Sequence, residues 1–96
     1  MRNFVFMRFE KDYFDKAVFE YIEETFSRLQ SVLPEEILAC RVRQNCVERE
    51  SNMDLMIEME LKNRQSLELY LKHPLHLAIG ERMNSHITSR CSFDCE

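Results

Sequence analysis

Long apolar runs are missing from this chain of 96 residues. No stretch approaches the roughly 18 apolar residues that a transmembrane helix needs, so we expect no membrane partner. The opening residues, MRNFVFMRF, also lack the layout of a signal peptide, because their apolar stretch is short and is interrupted by Arg8. We therefore expect a cytoplasmic protein.

An excess of basic residues is missing too. The chain has 13 Lys and Arg against 17 Asp and Glu, which gives a formal net charge of −4. A groove for nucleic acid needs a basic surface, so we expect no nucleic-acid partner. Repeats, low-complexity segments and linkers are absent, and a chain of this length is typical of one domain. We predict a single domain over residues 1–96.

The four cysteines lack the spacing of a zinc site. Without a secretion signal, a reducing compartment and free thiols are expected. Cys91 and Cys95 also lie in a segment that reads as a strand, where four residues span about 13 Å. That span exceeds the roughly 7 Å limit between the Cα atoms of a disulfide.

What the sequence does contain is an alternation of strand and helix patterns. The predicted strands are Asn3–Phe9, Ile37–Arg43, Met53–Leu61 and Arg90–Cys95. The predicted helices run from an N-cap at Asp12 to just before Pro34, over Arg64–Leu71, and from Pro74 to about Ile87. This order predicts an α+β, ferredoxin-like fold: one four-stranded antiparallel sheet with helices on one face.

The first strand is apolar on both faces. Phe4 and Phe6 alternate with Val5 and Met7, although an antiparallel sheet normally turns one polar face to water. Leaving each Phe in water forfeits about 2–3 kcal/mol. We therefore predict a homodimer in which two copies of the sheet pack face to face.

Charged residues on the second and third strands fall on the same face of the sheet. If these strands form a hairpin, Arg41 and Arg43 come near Glu58 and Glu60. Cross-strand pairs of opposite charge contribute about 0.2–1 kcal/mol each. Two interpretations stay open: the charges fix the register between subunits at a dimer interface, or they are solvated rim residues.

The stretch YLKHPLH (residues 70–76) concentrates a tyrosine, two histidines and a proline. Proline biases the preceding residue, His73, away from helical geometry and is itself favoured at the first position of a helix. The stretch is therefore predicted to be a joint between two helices, with His73 capping the second. An architectural role alone explains much of this pattern.

A catalytic interpretation of the same stretch rests on electrostatics. A helix N-terminus carries about half a positive charge, so it favours a neutral imidazole. A neutral His76 can act as a general base, and Tyr70 can donate a hydrogen bond to a substrate carbonyl. The predicted apolar walls of such a pocket are Val5, Met7, Leu55 and Ile57.

A metal site is not expected. His73 and His76 need at least one further ligand to hold a transition metal. The remaining histidine, His86, lies ten residues beyond His76 in the predicted helix, or about 15 Å along it. We expect neither a metal nor another cofactor.

The residue pattern resembles the stress-responsive A/B barrel (Dabb) family of dimeric α/β barrels. The resemblance covers nearly the whole chain: NFVFMRF, the helix that ends at LPEEI, DLMIEMEL, LELYLKHPLH and the closing SFDC. Tyrosine followed by HPxH is the most specific of these motifs. The resemblance implies a ferredoxin-like protomer whose sheet forms a barrel with that of a second copy.

The function that the resemblance implies is less specific. Most members have no established activity, and some are polyketide cyclases that close a ring by an aldol-type condensation. In those cyclases the catalytic pair corresponds to Tyr70 and His76. The family often carries a histidine where this chain has Asn3, which cannot titrate. Two hypotheses follow: a binding protein for a small apolar or carbonyl compound, and a lyase or cyclase. Haem or oxygen chemistry, found in other dimeric α/β barrels, is a weaker third because no haem ligand is encoded.

Overall fold

The computed structural model describes residues 1–96 as a four-stranded antiparallel sheet with helices on one face. The strands are β1 (Arg2–Phe9), β2 (Ile37–Gln44), β3 (Leu55–Leu61) and β4 (Ile87–Cys95). The helices are α1 (Lys16–Val32), α2 (Arg64–Lys72) and α3 (Pro74–Met83), followed by a 3-10 turn at Asn84–His86. The strand order β2-β3-β1-β4 confirms the ferredoxin-like prediction.

The core lies between the sheet and α1. Along β3, every second side chain is buried, beginning with Leu55 and ending with Leu61, as expected for a strand with one covered face. The apolar residues of α1 recur at helical spacing, and Ile22 and Leu29 are fully buried. Because β1 lies between β3 and β4, its residues Met7 and Phe9 are buried in the same cluster.

The N-cap of α1 is Asp15, so the prediction of Asp12 was wrong. The Asp15 side chain accepts a hydrogen bond of 2.9 Å from the backbone N–H of Val18. Asp12 instead has a φ of 67°, the left-handed conformation that Asp tolerates in turns. This turn lets Tyr13 and Phe14 pack on Phe9, with ring centroids 5.7 Å and 5.0 Å away, and delays the helix start.

An irregularity in the pairing of β2 turns the side chain of Leu38 toward solvent. The pairing of β2 with β3 shifts between Ile37 and Ala39, which is the signature of a β-bulge. Ile37 is buried and Cys40 is half-buried, but Leu38 is 53% exposed. Strict alternation along Ile37–Arg43 predicts that Leu38 shares a face with Cys40 and Val42, and this prediction fails at the beginning of the strand.

The face of the sheet away from the helices carries the residues predicted for a dimer interface. Arg41 lies opposite Glu58, and its guanidinium is 3.4 Å from that carboxylate. Arg2 approaches the same carboxylate at 3.3 Å. Arg43 lies opposite Met56, and Glu60 opposite Ala39, so these two do not form the predicted cross-strand pair.

Aromatic residues occupy the centre and the edge of this same face. Phe4 on β1 is paired with Phe93 on β4, with ring centroids 6.5 Å apart. Phe6 lies two residues along, opposite Met56 and Cys91. Phe4 and Phe6 are half-buried by their neighbours, whereas Phe93 is 62% exposed. The sequence pattern did not identify Phe93 as part of this surface.

The four cysteines are free thiols in the structure. None of the helices has the length and apolar character needed to cross a membrane. His86 lies in the 3-10 turn after α3, where its ring stacks on Tyr13 at 3.9 Å and its Nδ1 contacts the Glu10 carboxylate. His86 therefore connects this turn to the residues that follow β1 through these two contacts.

Candidate functional site

A cavity of about 570 Å³ lies between the helix-covered face of the sheet and helices α2 and α3. Its volume falls within the range of small-molecule sites, which are mostly apolar with a few polar groups. Twelve of its 20 lining residues are hydrophobic. The floor includes Val5, Met7 and Ile57 from the sheet, and Phe26, Ile79 and Met83 line it from the helices.

The joint between α2 and α3 positions the polar side chains of the cavity. His73 ends α2 in an extended conformation and serves as the N-cap of α3, with Pro74 at the first helical position. The Nδ1 of His73 accepts a hydrogen bond of 3.1 Å from the backbone N–H of Leu75. His73 does not line the cavity, and its role here is to turn the chain.

Tyr70, on the last full turn of α2, is 1% exposed and lines the cavity. Its ring packs against Phe26 of α1, with centroids 6.1 Å apart. Burial raises the pKa of the Tyr70 hydroxyl, because an apolar environment disfavours the phenolate. Tyr70 is therefore a hydrogen-bond donor at neutral pH and not a base.

His76, in the first turn of α3, has a defined tautomer. Its Nδ1 is 3.0 Å from the carbonyl oxygen of Leu71. A carbonyl oxygen can only accept, so Nδ1 carries the proton and Nε2 of the neutral ring holds a free lone pair. Burial lowers the pKa of His76 below its ordinary value, the bond to Leu71 opposes this, and the charge of Arg90 adds to the lowering. The neutral, basic form is thus favoured near pH 7.

Tyr70 and His76 are brought together by the joint. Their ring centroids are 4.9 Å apart with planes tilted by 53°, and both rings line the cavity. Tyr70 supplies a hydrogen-bond donor and neutral His76 supplies a proton acceptor beside an apolar space. This pairing can bind a carbonyl oxygen and accept a proton from a neighbouring carbon.

Asn3 and Asp94 join β1 to β4 at one end of the cavity. The Nδ2 of Asn3 donates a hydrogen bond of 2.6 Å to Oδ1 of Asp94. Asn3 is 5% exposed, and its Oδ1 is buried without a hydrogen-bond partner in the chain. An unpaired buried acceptor is costly in an apolar environment, so this amide is a polar point in the cavity wall.

Most of the residues predicted for the pocket from sequence line this cavity. They are Asn3, Val5, Met7, Ile57, Tyr70 and His76. Leu55 was also predicted for the pocket, but it lies in the core outside the cavity. No cluster of three or more His, Cys, Asp or Glu side chains has the geometry to hold a metal ion.

Sequence reasoning missed the contribution of β4. Arg90, Ser92 and Asp94 all line the cavity, together with Asn84 from the turn before the strand. These three strand residues alternate, and β4 pairs with β1 so that they lie on the face of Val5 and Met7. The alternation in RCSFD was therefore the available signal.

Comparisons with known proteins agree on family and fold. The sequence model of the stress responsive A/B barrel domain matches residues 2–96. No curated protein matches the chain. A dimeric protein of unknown function with a ferredoxin-like fold from Bacteroides fragilis is 20% identical, with a TM-score of 0.82 over 99% of this chain and 93% of its own.

Two further solved structures share the fold. A dimeric ferredoxin-like protein of unknown function from Thermobifida fusca is 18% identical, with a TM-score of 0.76 over 96% of this chain and 85% of its own. A hydroxynitrile lyase from Passiflora edulis is 14% identical, with a TM-score of 0.74 over 96% and 87%. At these identities, the likeness concerns the fold alone.

Proposed function

The chain belongs to the stress responsive A/B barrel domain family, and on that premise we propose that it binds a small carbonyl compound with an apolar body in the cavity beside Tyr70 and His76. The observation that carries this proposal is the pair of Tyr70 and His76, with ring centroids 4.9 Å apart, in a cavity wall that is mostly apolar. An apolar body fills the cavity, and the Tyr70 hydroxyl donates to the carbonyl oxygen.

Binding of 2-acetylnaphthalene tests this proposal, because it joins an aromatic body to one neutral carbonyl group. We expect saturable binding in a fluorescence titration and a raised melting temperature. Tyr70→Phe removes one hydrogen bond, of about 0.5–1.5 kcal/mol, and is expected to weaken binding by about 2- to 12-fold. Tyr13→Phe is the matched control, since Tyr13 does not line the cavity. Equal affinity in the two variants, or no binding at all, contradicts the proposal.

A homodimer formed through the helix-free face of the sheet is the assembly we propose. Two structures with this fold are described as dimeric. The exposed Phe93 and the half-buried Phe4 and Phe6 form an apolar strip on that face, whose burial by a second copy gains about 2–3 kcal/mol per fully covered side chain. The charged residues Arg41 and Glu58 lie beside this strip, where they can set the register.

The second candidate function is a lyase or cyclase that forms a carbon–carbon bond. The tautomer of His76 favours it, because Nε2 of the neutral ring is a base directed away from the Leu71 carbonyl. The related fold of a hydroxynitrile lyase is compatible with such chemistry at a carbonyl group.

In this reaction Nε2 of His76 removes a proton from the carbon next to a ketone, while the Tyr70 hydroxyl stabilises the developing enolate oxygen. The enolate carbon attacks a second carbonyl carbon of the same molecule, which forms the new bond and an alkoxide. The imidazolium of His76 returns its proton to that alkoxide. The overall change is an isomerisation, so no oxidant or co-reactant is consumed.

Proton exchange separates this candidate from simple binding. In D2O, a catalytic His76 is expected to accelerate the exchange of the methyl protons of 2-acetylnaphthalene for deuterium, measured by mass spectrometry. His76→Ala should abolish this acceleration and leave a folded protein. If exchange proceeds at the buffer rate while the ketone binds, the protein is a binding protein and the cyclase candidate is wrong.

A further inference from the structure

Arg90 is a cation at the mouth of the apolar cavity. On β4 it lies opposite Met7 of β1, so its side chain leaves the sheet on the helix-covered face. It lines the cavity together with Tyr70 and His76. Arg90 is itself exposed, so its guanidinium lies where the apolar cavity meets solvent and is accessible to an anionic group of a ligand.

No carboxylate of the chain pairs with Arg90. Its one side-chain hydrogen bond is a 3.0 Å contact from Nη2 to the neutral amide oxygen of Asn84. Glu81 and Asp94 line the same cavity, but neither forms an ion pair with Arg90, and Asp94 accepts a hydrogen bond from Asn3. A guanidinium has five N–H donors, so four of them have no acceptor within the protein.

Asn84 contacts one end of the guanidinium. The side chain of Asn84 lies against Gly80 of α3, where an added Cβ would come within 3.1 Å of Nδ2. The absence of a side chain at residue 80 therefore leaves room for the amide that holds Arg90. The charge also acts on the pair already described: it partly offsets the rise in the pKa of Tyr70 that burial causes, and it adds to the lowering of the pKa of His76 that burial causes.

Building on the proposed role of the cavity in binding a carbonyl compound, we propose that Arg90 binds a carboxylate group of the ligand. A carboxylate matches the planar fork of a guanidinium and can accept two parallel hydrogen bonds. The ligand class is then an amphipathic acid: an apolar body in the cavity, with its anionic group at the open end beside Arg90. Arg90 sets the charge preference of the site, whereas Tyr70 contacts a neutral carbonyl.

The test compares 2-naphthoate with 2-acetylnaphthalene, which differ in having a carboxylate oxygen or a methyl group at the same position. In titrations at low ionic strength, the unmodified protein is expected to bind the acid about tenfold more tightly than the ketone. Arg90→Gln should abolish that preference, so that the variant binds the acid no more tightly than it binds the ketone. Arg28→Gln makes an equal change of charge at an exposed position of α1, and this variant should retain the preference for the acid.

The outcomes separate the two proposals. If the ketone binds and the acid binds no more tightly, the role of Arg90 is overturned while the binding function stands. A preference for the acid that persists in Arg90→Gln also overturns the role of Arg90. If neither compound binds, both proposals fall. The comparison in the unmodified protein needs no variant, so instability of Arg90→Gln does not obscure the result.

Discussion

Asn3 donates a 2.6 Å hydrogen bond to Asp94 across the pairing of β1 with β4. The two residues are directly opposite each other in the register, and the amide is 5% exposed. This contact joins the two strands at one end of the cavity, and it places a neutral amide at the position where the family resemblance implies a histidine. Asn3 can donate and accept hydrogen bonds at this end of the cavity, but it cannot titrate.

Asn3→Asp is expected to destabilise the protein by about 2 kcal/mol at neutral pH. The substitution replaces a donor by a second carboxylate against Asp94, and like charges at this distance cannot both ionise without cost. A proton shared by the folded pair, but not by the unfolded chain at the same pH, should recover part of this loss as the pH falls to about 5. Urea denaturation of the variant at both pH values measures the effect.

Asn3→Ala is the control for this prediction. It removes the hydrogen bond without adding a charge, so its loss of stability should not be recovered at lower pH. The prediction is wrong if the two variants lose the same free energy of unfolding and respond equally to pH.

His76 is expected to make folding stability depend on pH. Because the fold lowers the pKa of His76 below 6.5, the unfolded chain takes up a proton at a higher pH than the folded protein does. The contribution of neutral His76 to the free energy of unfolding is therefore fully present above about pH 6.5. It is lost as the pH falls toward the pKa of His76 in the folded protein. Unfolding free energies at about pH 7 and pH 5 should differ less in His76→Gln than in the unmodified protein. An NMR titration giving a folded pKa at or above 6.5 would contradict this.

His73 is predicted to stabilise the joint as a helix cap. Its Nδ1 accepts the N–H of Leu75, so His73→Ala should cost about 1 kcal/mol. Asn is a strong capping residue, and His73→Asn should retain most of the stability. Chemical denaturation compares the three proteins. Equal losses in the Ala and Asn variants would show that the capping bond is not what stabilises this turn.

The proposed dimer is most sensitive to Phe93. A glutamate in its place puts a charge on a surface that two copies must desolvate, so Phe93→Glu should yield monomers in light scattering at micromolar concentration. Leu69→Glu is the control, because Leu69 is 53% exposed on α2 and lies away from the sheet face. If Phe93→Glu and the unmodified protein have the same mass, the proposed interface is wrong.

The fold was largely predictable because the strongest signals in the sequence are local. The alternation from Leu55 to Leu61 defines a half-buried strand by itself, and proline chemistry alone predicts the joint at His73 and Pro74. The errors arose where tertiary packing overrides a local rule. Aromatic packing of Tyr13 and Phe14 on Phe9 moved the cap from Asp12 to Asp15, and a bulge turned Leu38 outward.

The site was predictable only for the residues near its motif. Tyr70 and His76 are six residues apart, and the joint between α2 and α3 brings them together. Arg90 joins them through the pairing of β4 with β1 and through the contact with Asn84. Neither relationship can be derived from spacing along the chain, since each depends on which strands are neighbours in the sheet.

The central position of β1 also has a consequence for protein synthesis. β1 is made first but pairs with β3 and β4, and the bond from Asn3 to Asp94 spans 91 residues. The bond from His76 to Leu71 spans five, so the orientation of the histidine can form while the chain is still on the ribosome. The cavity, in contrast, is complete only after β4 has been synthesised, because Arg90, Ser92 and Asp94 belong to its lining. Until then, the apolar residues of the cavity floor are exposed in the nascent chain, where chaperones can bind them.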